Sequence, residues 1–286
     1  MNELDHLAPT VREMAGQSNR SRLRFIAEDR WIDYPQARKT LDKLETLLHA
    51  PIRTRMPGLL IYGDSNIGKS MIIQKFLRAH PPGSFNSKTG RVSIDVLSIE
   101  MPATPQERRL YGQLLMALNA PYRPGDRLPT VELTALTLLD ELTPPMLIVD
   151  EIHNLLAGTA REQRAALNLL KFLSNRLHCA IVTLGTRDAL AAMHSDSQIA
   201  SRFPGAELPR WQQNDELRSF IAGFERQLPL QLPSNIANSP PMVRSIMNFS
   251  GGLTGRITDL LSQAARAAIV AKHERITVGL LESLKT

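Results

Sequence analysis

The sequence predicts an α/β protein with a parallel five-stranded sheet flanked by helices and a small helical lid at its C-terminal end. Three observations carry this. Short apolar runs alternate with segments of helical spacing from Leu59 to Leu208, the pattern of a parallel sheet covered on both faces. One of those runs leads directly into a glycine-containing octet that opens a helix. Beyond Trp211 the periodicity is helical only, with turn residues between the segments.

Taken in order, residues from about Ser18 to Ala50 are charged and helix-friendly, with Leu23, Ile26, Leu41, Leu44, Leu47 and Leu48 spaced for apolar faces. Leu59-Leu60-Ile61-Tyr62 is the first strand, followed by the octet and by Met71-Ile72-Ile73 and Phe76-Leu77 at helical spacing. A second strand is expected over Val92 to Ile99, and helices over Pro105 to Leu118 and Val131 to Leu142, separated by the breaker-rich Ala120 to Gly125. Met146 to Val149 reads as the third strand, Arg161 to Leu177 as a long helix, and Ala180 to Leu184 as the fourth strand. Ala206-Glu207-Leu208 is a short fifth. Helices follow near Glu216 to Gln227, Pro241 to Phe249, Arg256 to Ala271 and Val278 to Leu284, with a proline-rich break from Pro229 to Pro240. The expected division is a helical preface over 1–50, a nucleotide-binding α/β domain over 51–211 and the helical lid over 212–286.

Composition narrows the possible partners. The chain has 286 residues, 43% of them hydrophobic, and 34 Lys+Arg against 28 Asp+Glu for a net charge of +6. That balance favours an acidic partner, nucleic acid first and an anionic membrane surface second. No apolar run reaches the roughly 20 residues of a bilayer span. Met1 to Thr10 carry Glu3 and Asp5 rather than a basic-then-apolar leader, so a soluble, cytoplasmic protein without membrane attachment is expected. The single Cys179 excludes an intrachain disulfide and a multi-cysteine zinc site.

The octet Gly63-Asp64-Ser65-Asn66-Ile67-Gly68-Lys69-Ser70 fits GxxxxGK[ST], a pattern that arises by chance in roughly one chain in a hundred of this length. Its residue types are those a phosphate loop needs. Gly63 and Gly68 let backbone N–H groups close around phosphate oxygens, and the following helix, from Met71 on, offers its positive end to the same anion. Lys69 is positioned to bridge β- and γ-phosphates, and the Ser70 hydroxyl to ligate Mg²⁺. The third strand ends in Asp150-Glu151. Here Asp150 would hold the magnesium ion of bound ATP through water, and Glu151 would polarise the attacking water. His153 and Asn154 either extend this site or begin the next loop.

Three further positions have two readings each. Thr186, after the fourth strand, would lie between the phosphate loop and the Asp150 strand and sense the γ-phosphate; Thr183 is its rival, and either is open to a plain capping role. Arg202 sits at a helix end before the last strand, suited to a neighbouring subunit's γ-phosphate or to its own helix dipole. Arg256 falls in the first turn of a helix, where the dipole disfavours a cation unless a polyphosphate offsets it; otherwise it is a surface arginine.

Together, Gly63–Ser70, Asp150-Glu151, Thr186, Arg202 and Arg256, in that order, resemble the Walker A, Walker B, sensor 1, arginine finger and sensor 2 of an AAA+ ATPase. Trp31-Ile32-Asp33-Tyr34-Pro35-Gln36-Ala37, Leu44-Glu45 and Arg55-Met56-Pro57 resemble the TniB and TnsC group of transposon ATPases, and the likeness covers about Arg20 to Ala271. It implies an ATP- and magnesium-dependent regulator that forms a homo-oligomeric ring or filament on double-stranded DNA and recruits a DDE transposase and a TniQ-like target-selection partner. It also implies that Tyr34 borders the adenine, by stacking or as a core staple between preface and sheet. Arg108, Arg109, Arg123 and Arg127, near the second strand, are then candidates for DNA phosphates, against a reading as solvated surface charge. Arg20, Arg22 and Arg24 are suited to docking DNA or a partner protein, and read by default as the solvated face of a helix. The rival function is a helicase loader or another ATP-dependent DNA-remodelling adaptor.

Overall fold

A computed structural model describes residues 4–81, 83–86, 91–123, 125–194 and 196–284, and only the backbone of 84–86, 91 and 92. Pro124, part of the expected break, and Met1–Glu3 lie outside the described residues. The chain groups into two compact units: a sheet unit of Lys39–Asp64 and Lys69–Leu208, and a helical unit comprising the described residues of Met1–Arg38, Ser65–Gly68 and Pro209–Thr286.

In the sheet unit, strands β1 (Gly58–Tyr62), β4 (Val96–Glu100), β5 (Met146–Asp150), β6 (Ala180–Gly185) and β7 (Gly205–Glu207) form one sheet in the order β4-β5-β6-β1-β7. All its pairs are parallel. The three central strands are nearly continuous apolar runs because both faces are covered; every residue of β6 is buried. Their register puts Tyr62 opposite both Gly185 and Glu207, and Glu100 opposite Asp150. The carboxyl ends of β1, β5 and β6 therefore lie side by side, the edge where open α/β sheets gather their chemistry. One core cluster joins strand residues such as Leu60, Leu147 and Ile181 to Leu110, Leu114, Leu136, Leu139, Leu170 and Leu173 from the flanking helices.

The single strand expected over Val92 to Ile99 is two. Arg91–Ser93 (β3) pairs antiparallel with Ser84–Asn86 (β2) in a hairpin, and the sheet strand starts only at Val96. Asp95 separates them, its carbonyl accepting from Met146 N at 3.3 Å as the sheet pairing begins. Helices at Pro9–Ala15 and Arg187–His194 were not anticipated. The latter is 8 residues long, with Ala189 and Met193 as its buried residues, too short for a periodic signal.

In the helical unit, Asn19–Ile26 joins Asp215–Glu225, Pro240–Ser250, Thr254–Val270 and Val278–Ser283. Arg22, expected on a solvated face, is 1% exposed. Its helix turns that side inward, where Nε and Nη2 donate to Pro229 O at 3.0 and 2.7 Å and Glu274 pairs with both terminal nitrogens. Arg20 and Arg24 on either side are exposed. Among the described residues no helix is long and apolar enough to cross a membrane.

Candidate functional site

The two ends of the octet belong to the sheet unit. β1 delivers Gly63, whose N–H donates to Gly185 O at 3.2 Å, tying the loop's start to the end of β6. Lys69 opens the helix Lys69–Ala79, with the exposed Ser70 and half-buried Met71 following in its first turn. Lys69 Nζ donates to Gly63 O at 2.9 Å and Asp64 O at 3.0 Å. Burial lowers its pKa, and the charges of Asp150, Glu151 and Asp64 oppose that without cancelling it. Ser70 Oγ lies 3.4 Å from Asp150 Oδ2, so the hydroxyl and carboxylate expected to share a hard cation already converge. Among the described residues no group of three or more His, Cys, Asp and Glu side chains could hold a metal by itself. The donor set fits an ion whose remaining ligands are phosphate oxygens and water.

Asp150 is fixed at the end of β5 by accepting from Glu151 N at 2.7 Å through Oδ1. Glu151 adopts φ +55°, a left-handed conformation that costs a non-glycine residue free energy and is held only where the surroundings demand it. The turn detaches Glu151 from the strand direction and starts the short 3₁₀ helix Ile152–Ala157. Its carboxylate lies 3.0 Å from His153 Nδ1, at ion-pair distance but off hydrogen-bond geometry, since that nitrogen is buried without a hydrogen-bond partner among the described residues. Asn154 instead donates to Met101 O at 2.8 Å and braces the end of β4.

The sheet order places β6 between β1 and β5. Thr183 is fully buried within β6, its hydroxyl donating to Leu59 O at 3.4 Å. Thr186, just past the strand, is half-buried and its carbonyl accepts from Leu190 N at 3.3 Å at the start of the next helix. The neighbouring Arg187 pairs with Glu207 and reaches Asp64 at 3.9 Å. This pairing of the loop's own aspartate was not legible in the sequence, because the three residues are far apart in the chain.

Arg202 ends the helix Ser197–Arg202, yet its guanidinium turns to another helix, Nη1 to Lys171 O at 3.3 Å and Nη2 to Asn175 Oδ1 at 3.0 Å. Its Nε is buried without a hydrogen-bond partner among the described residues. Burial, with the nearby charge of Arg55, lowers its pKa. Arg55 is itself anchored beside it, donating to Ser201 Oγ at 2.6 Å. Of the four candidate DNA arginines, Arg109, Arg123 and Arg127 are exposed, whereas Arg108 is half-buried and donates to Asp126 O at 3.4 Å.

The middle of the octet, Ser65–Gly68, belongs to the helical unit. Asn66 (φ +63°) and Gly68 (φ +102°) both take left-handed conformations, the second one that an L side chain rarely adopts. Asn66 O accepts from Gly255 N at 2.8 Å, and Ile67 O from Thr254 Oγ1 at 2.9 Å, at the start of the helix Thr254–Val270. Arg256 is exposed in that first turn. Tyr34 is 8% exposed, its ring 5.1 Å from that of Trp211 and 5.6 Å from that of Phe220, with Trp31 at 6.5 Å. Burial raises its hydroxyl's pKa to about 12, so it is a neutral donor at physiological pH.

The family model "Bacterial TniB protein" matches residues 22–213. No curated protein matches the chain. Among solved structures, the chain is similar to the Aeropyrum pernix ORC1 protein in complex with DNA, with a TM-score of 0.65 at 16% identity over 91% of this chain and 68% of that one. It is also similar to Drosophila ORC bound to DNA, at 0.62 and 14% over 95% and 66%. Cdc6p from Pyrobaculum aerophilum follows at 0.61 and 15% over 88% and 67%. These likenesses place the chain in the P-loop AAA+ fold.

Proposed function

Because the chain belongs to the TniB family, by the match over residues 22–213, we propose that it is an ATP-dependent regulator of DNA transposition. It oligomerises on target duplex DNA, recruits a DDE transposase and a TniQ-like target-selection protein, and disassembles when ATP is hydrolysed. The observation that carries this is the octet Gly63–Ser70 set between β1 and a helix start, with Ser70 Oγ 3.4 Å from Asp150 Oδ2. The fold relatives captured with DNA support DNA as a partner.

In this reading the backbone N–H groups of Gly63 to Met71 cradle the triphosphate. Lys69 exchanges its two carbonyl partners for β- and γ-phosphate oxygens. Ser70 and Asp150 would hold magnesium, which would supply positive charge to screen the phosphates. Glu151 takes the proton of the attacking water, and Thr186 orients that water from the end of β6. Arg202 leaves Lys171 O and Asn175 to meet the triphosphate of an adjoining subunit, where charge develops in the transition state. Arg256 senses the same anion from its helix start. Tyr34 borders the nucleotide through its hydroxyl end, since Trp211 and Phe220 meet its ring. Arg109, Arg123 and Arg127, with Arg108 at their base, face DNA phosphates without reading sequence.

Negative-stain imaging with duplex DNA and a non-hydrolysable ATP analogue tests the proposal: rings or filaments are expected, and dispersed monomers at every protein concentration would refute it. The likeness to origin-recognition structures keeps a second reading, an AAA+ helicase loader or other DNA-remodelling adaptor. A strong preference for single-stranded over duplex DNA in competition would favour it.

A further inference from the structure

The phosphate loop is held from outside by contacts that the octet pattern does not call for. A loop that points its N–H groups at an anion turns carbonyls the other way, and two of these, on Asn66 and Ile67, meet the start of the helix Thr254–Val270. Gly255 N donates to Asn66 O at 2.8 Å and Thr254 Oγ1 donates to Ile67 O at 2.9 Å. The same Thr254 Oγ1 accepts from Trp211 Nε1 at 3.0 Å, so donors run in one direction from indole to hydroxyl to loop carbonyl. Trp211 is 9% exposed. Its own N–H donates to Gly252 O at 2.9 Å, which fixes it to the turn just before the helix. A Cβ on Gly255 would stand 3.2 Å from Asn66 Cβ and O, so the backbones approach as closely as a glycine allows. The loop so held contains the left-handed Asn66 and Gly68, conformations that persist only where the surroundings over-determine them.

We infer that Thr254 is a positioning residue for nucleotide binding: its hydroxyl, oriented by the Trp211 indole, pins the Ile67 carbonyl and presets the phosphate loop, so that Trp211 reports the loop's occupancy. The inference rests on the reading of the octet as a nucleoside-triphosphate site. Thr254 acts before chemistry, on the shape of the loop, and so its loss weakens MgADP and MgATP alike.

The test uses the full chain. Calorimetry with MgADP compares the parent with Thr254→Val, Thr254→Ser, Trp211→Phe and the double variant Thr254→Val/Trp211→Phe. The isosteric Thr254→Val is expected to weaken binding about five- to tenfold, the effect of losing one hydrogen bond and leaving an indole donor unpaired. Thr254→Ser, which keeps the hydroxyl, stays within about twofold. The double variant is no weaker than about the worse single one, because the two residues act through one chain. In a Trp31→Phe background, Trp211 emission shifts on MgADP addition, and Thr254→Val abolishes the shift. If Thr254→Val has the parent's circular dichroism and binds MgADP as tightly as the parent, the inference is overturned while the nucleotide reading stands. If the parent takes up no nucleotide, that reading falls and the inference falls with it. Should Thr254→Val not fold, Trp211→Phe against Thr254→Ser carries the same comparison.

Discussion

Lys69 does more than offer a charge: Nζ donates to the carbonyls of Gly63 and Asp64 and so braces its own loop. Lys69→Ala is therefore expected to remove MgATP binding detectable by calorimetry and also to lower stability by about 1 kcal/mol, the net worth of such bonds where water replaces them. Thermal melts beside the titration separate the two effects. Arg22 gives a sharper stability prediction. Burial would raise the Glu274 carboxyl, but the Arg22 hydrogen bond, the Gln231 N–H and the Arg22 charge outweigh it, so its pKa lies below the ordinary 4.5. Stability from this group is complete above that ordinary value and is lost as pH falls through the lower folded one. Glu274→Gln should flatten the dependence of Tm on pH below about 4.5 and, by leaving a buried guanidinium uncompensated, cost about 3 kcal/mol at neutral pH. A Tm curve parallel to the parent's in acid would contradict it. Nothing in Arg20-Ser21-Arg22-Leu23-Arg24 distinguishes the central arginine, because its partners, Pro229 and Glu274, lie more than two hundred residues away. The octet, in contrast, is a pattern of eight consecutive residues and can be read without knowing any distant partner.

Elements follow the same division. The central strands declare themselves because burial on both faces demands unbroken apolar runs, and Leu59 to Tyr62, Met146 to Val149 and Ala180 to Leu184 all became strands. The pair β2–β3 leaves no mark in the sequence because strands of 3 residues are shorter than the runs that identify a strand. In the connection after Asp215–Glu225, Glu225 accepts from the backbone N–H groups of Ser234, Asn235 and Ile236 at 3.1, 2.7 and 3.0 Å. This lets Asn235 hold φ +54° at the start of a short 3₁₀ turn. Glu225→Ala should destabilise the protein by about 2–3 kcal/mol, the range for charge-assisted bonds, in denaturant unfolding. Glu225→Gln, which keeps one acceptor oxygen, should lose less. A proline-rich stretch reads from sequence as a mere break; that it is clasped by a carboxylate nine or more residues earlier is a tertiary fact.

For the whole molecule, the proposed switch depends on hydrolysis being separable from binding. Glu151→Gln is expected to keep MgATP affinity and to lengthen the lifetime of the protein on duplex DNA, because the base is lost while the phosphate contacts remain. A dissociation rate equal to the parent's, followed by filter binding or single-molecule imaging, would instead mark a scaffold that never needed turnover. Arg202→Ala should leave uptake of MgATP by dilute protein near the parent's and cut DNA-stimulated hydrolysis by about a thousandfold, the scale of removing a charge-stabilising arginine. A malachite-green assay of released phosphate over a protein concentration series reads this directly. The family was legible because its signatures are contiguous. The tie between loop and helix start was not, because it needs Asn66, Ile67, Trp211, Thr254 and Gly255 to be near in space.

That tie changes what counts as a minimal nucleotide-binding fragment. Cutting the chain between Leu208 and Pro209 would retain all eight residues of the motif together with every strand of the sheet. Yet Asn66 and Ile67 would lose the amide and the hydroxyl that now engage their carbonyls, so the truncated fragment is expected to hold nucleotide less tightly than the full chain although its motif is intact.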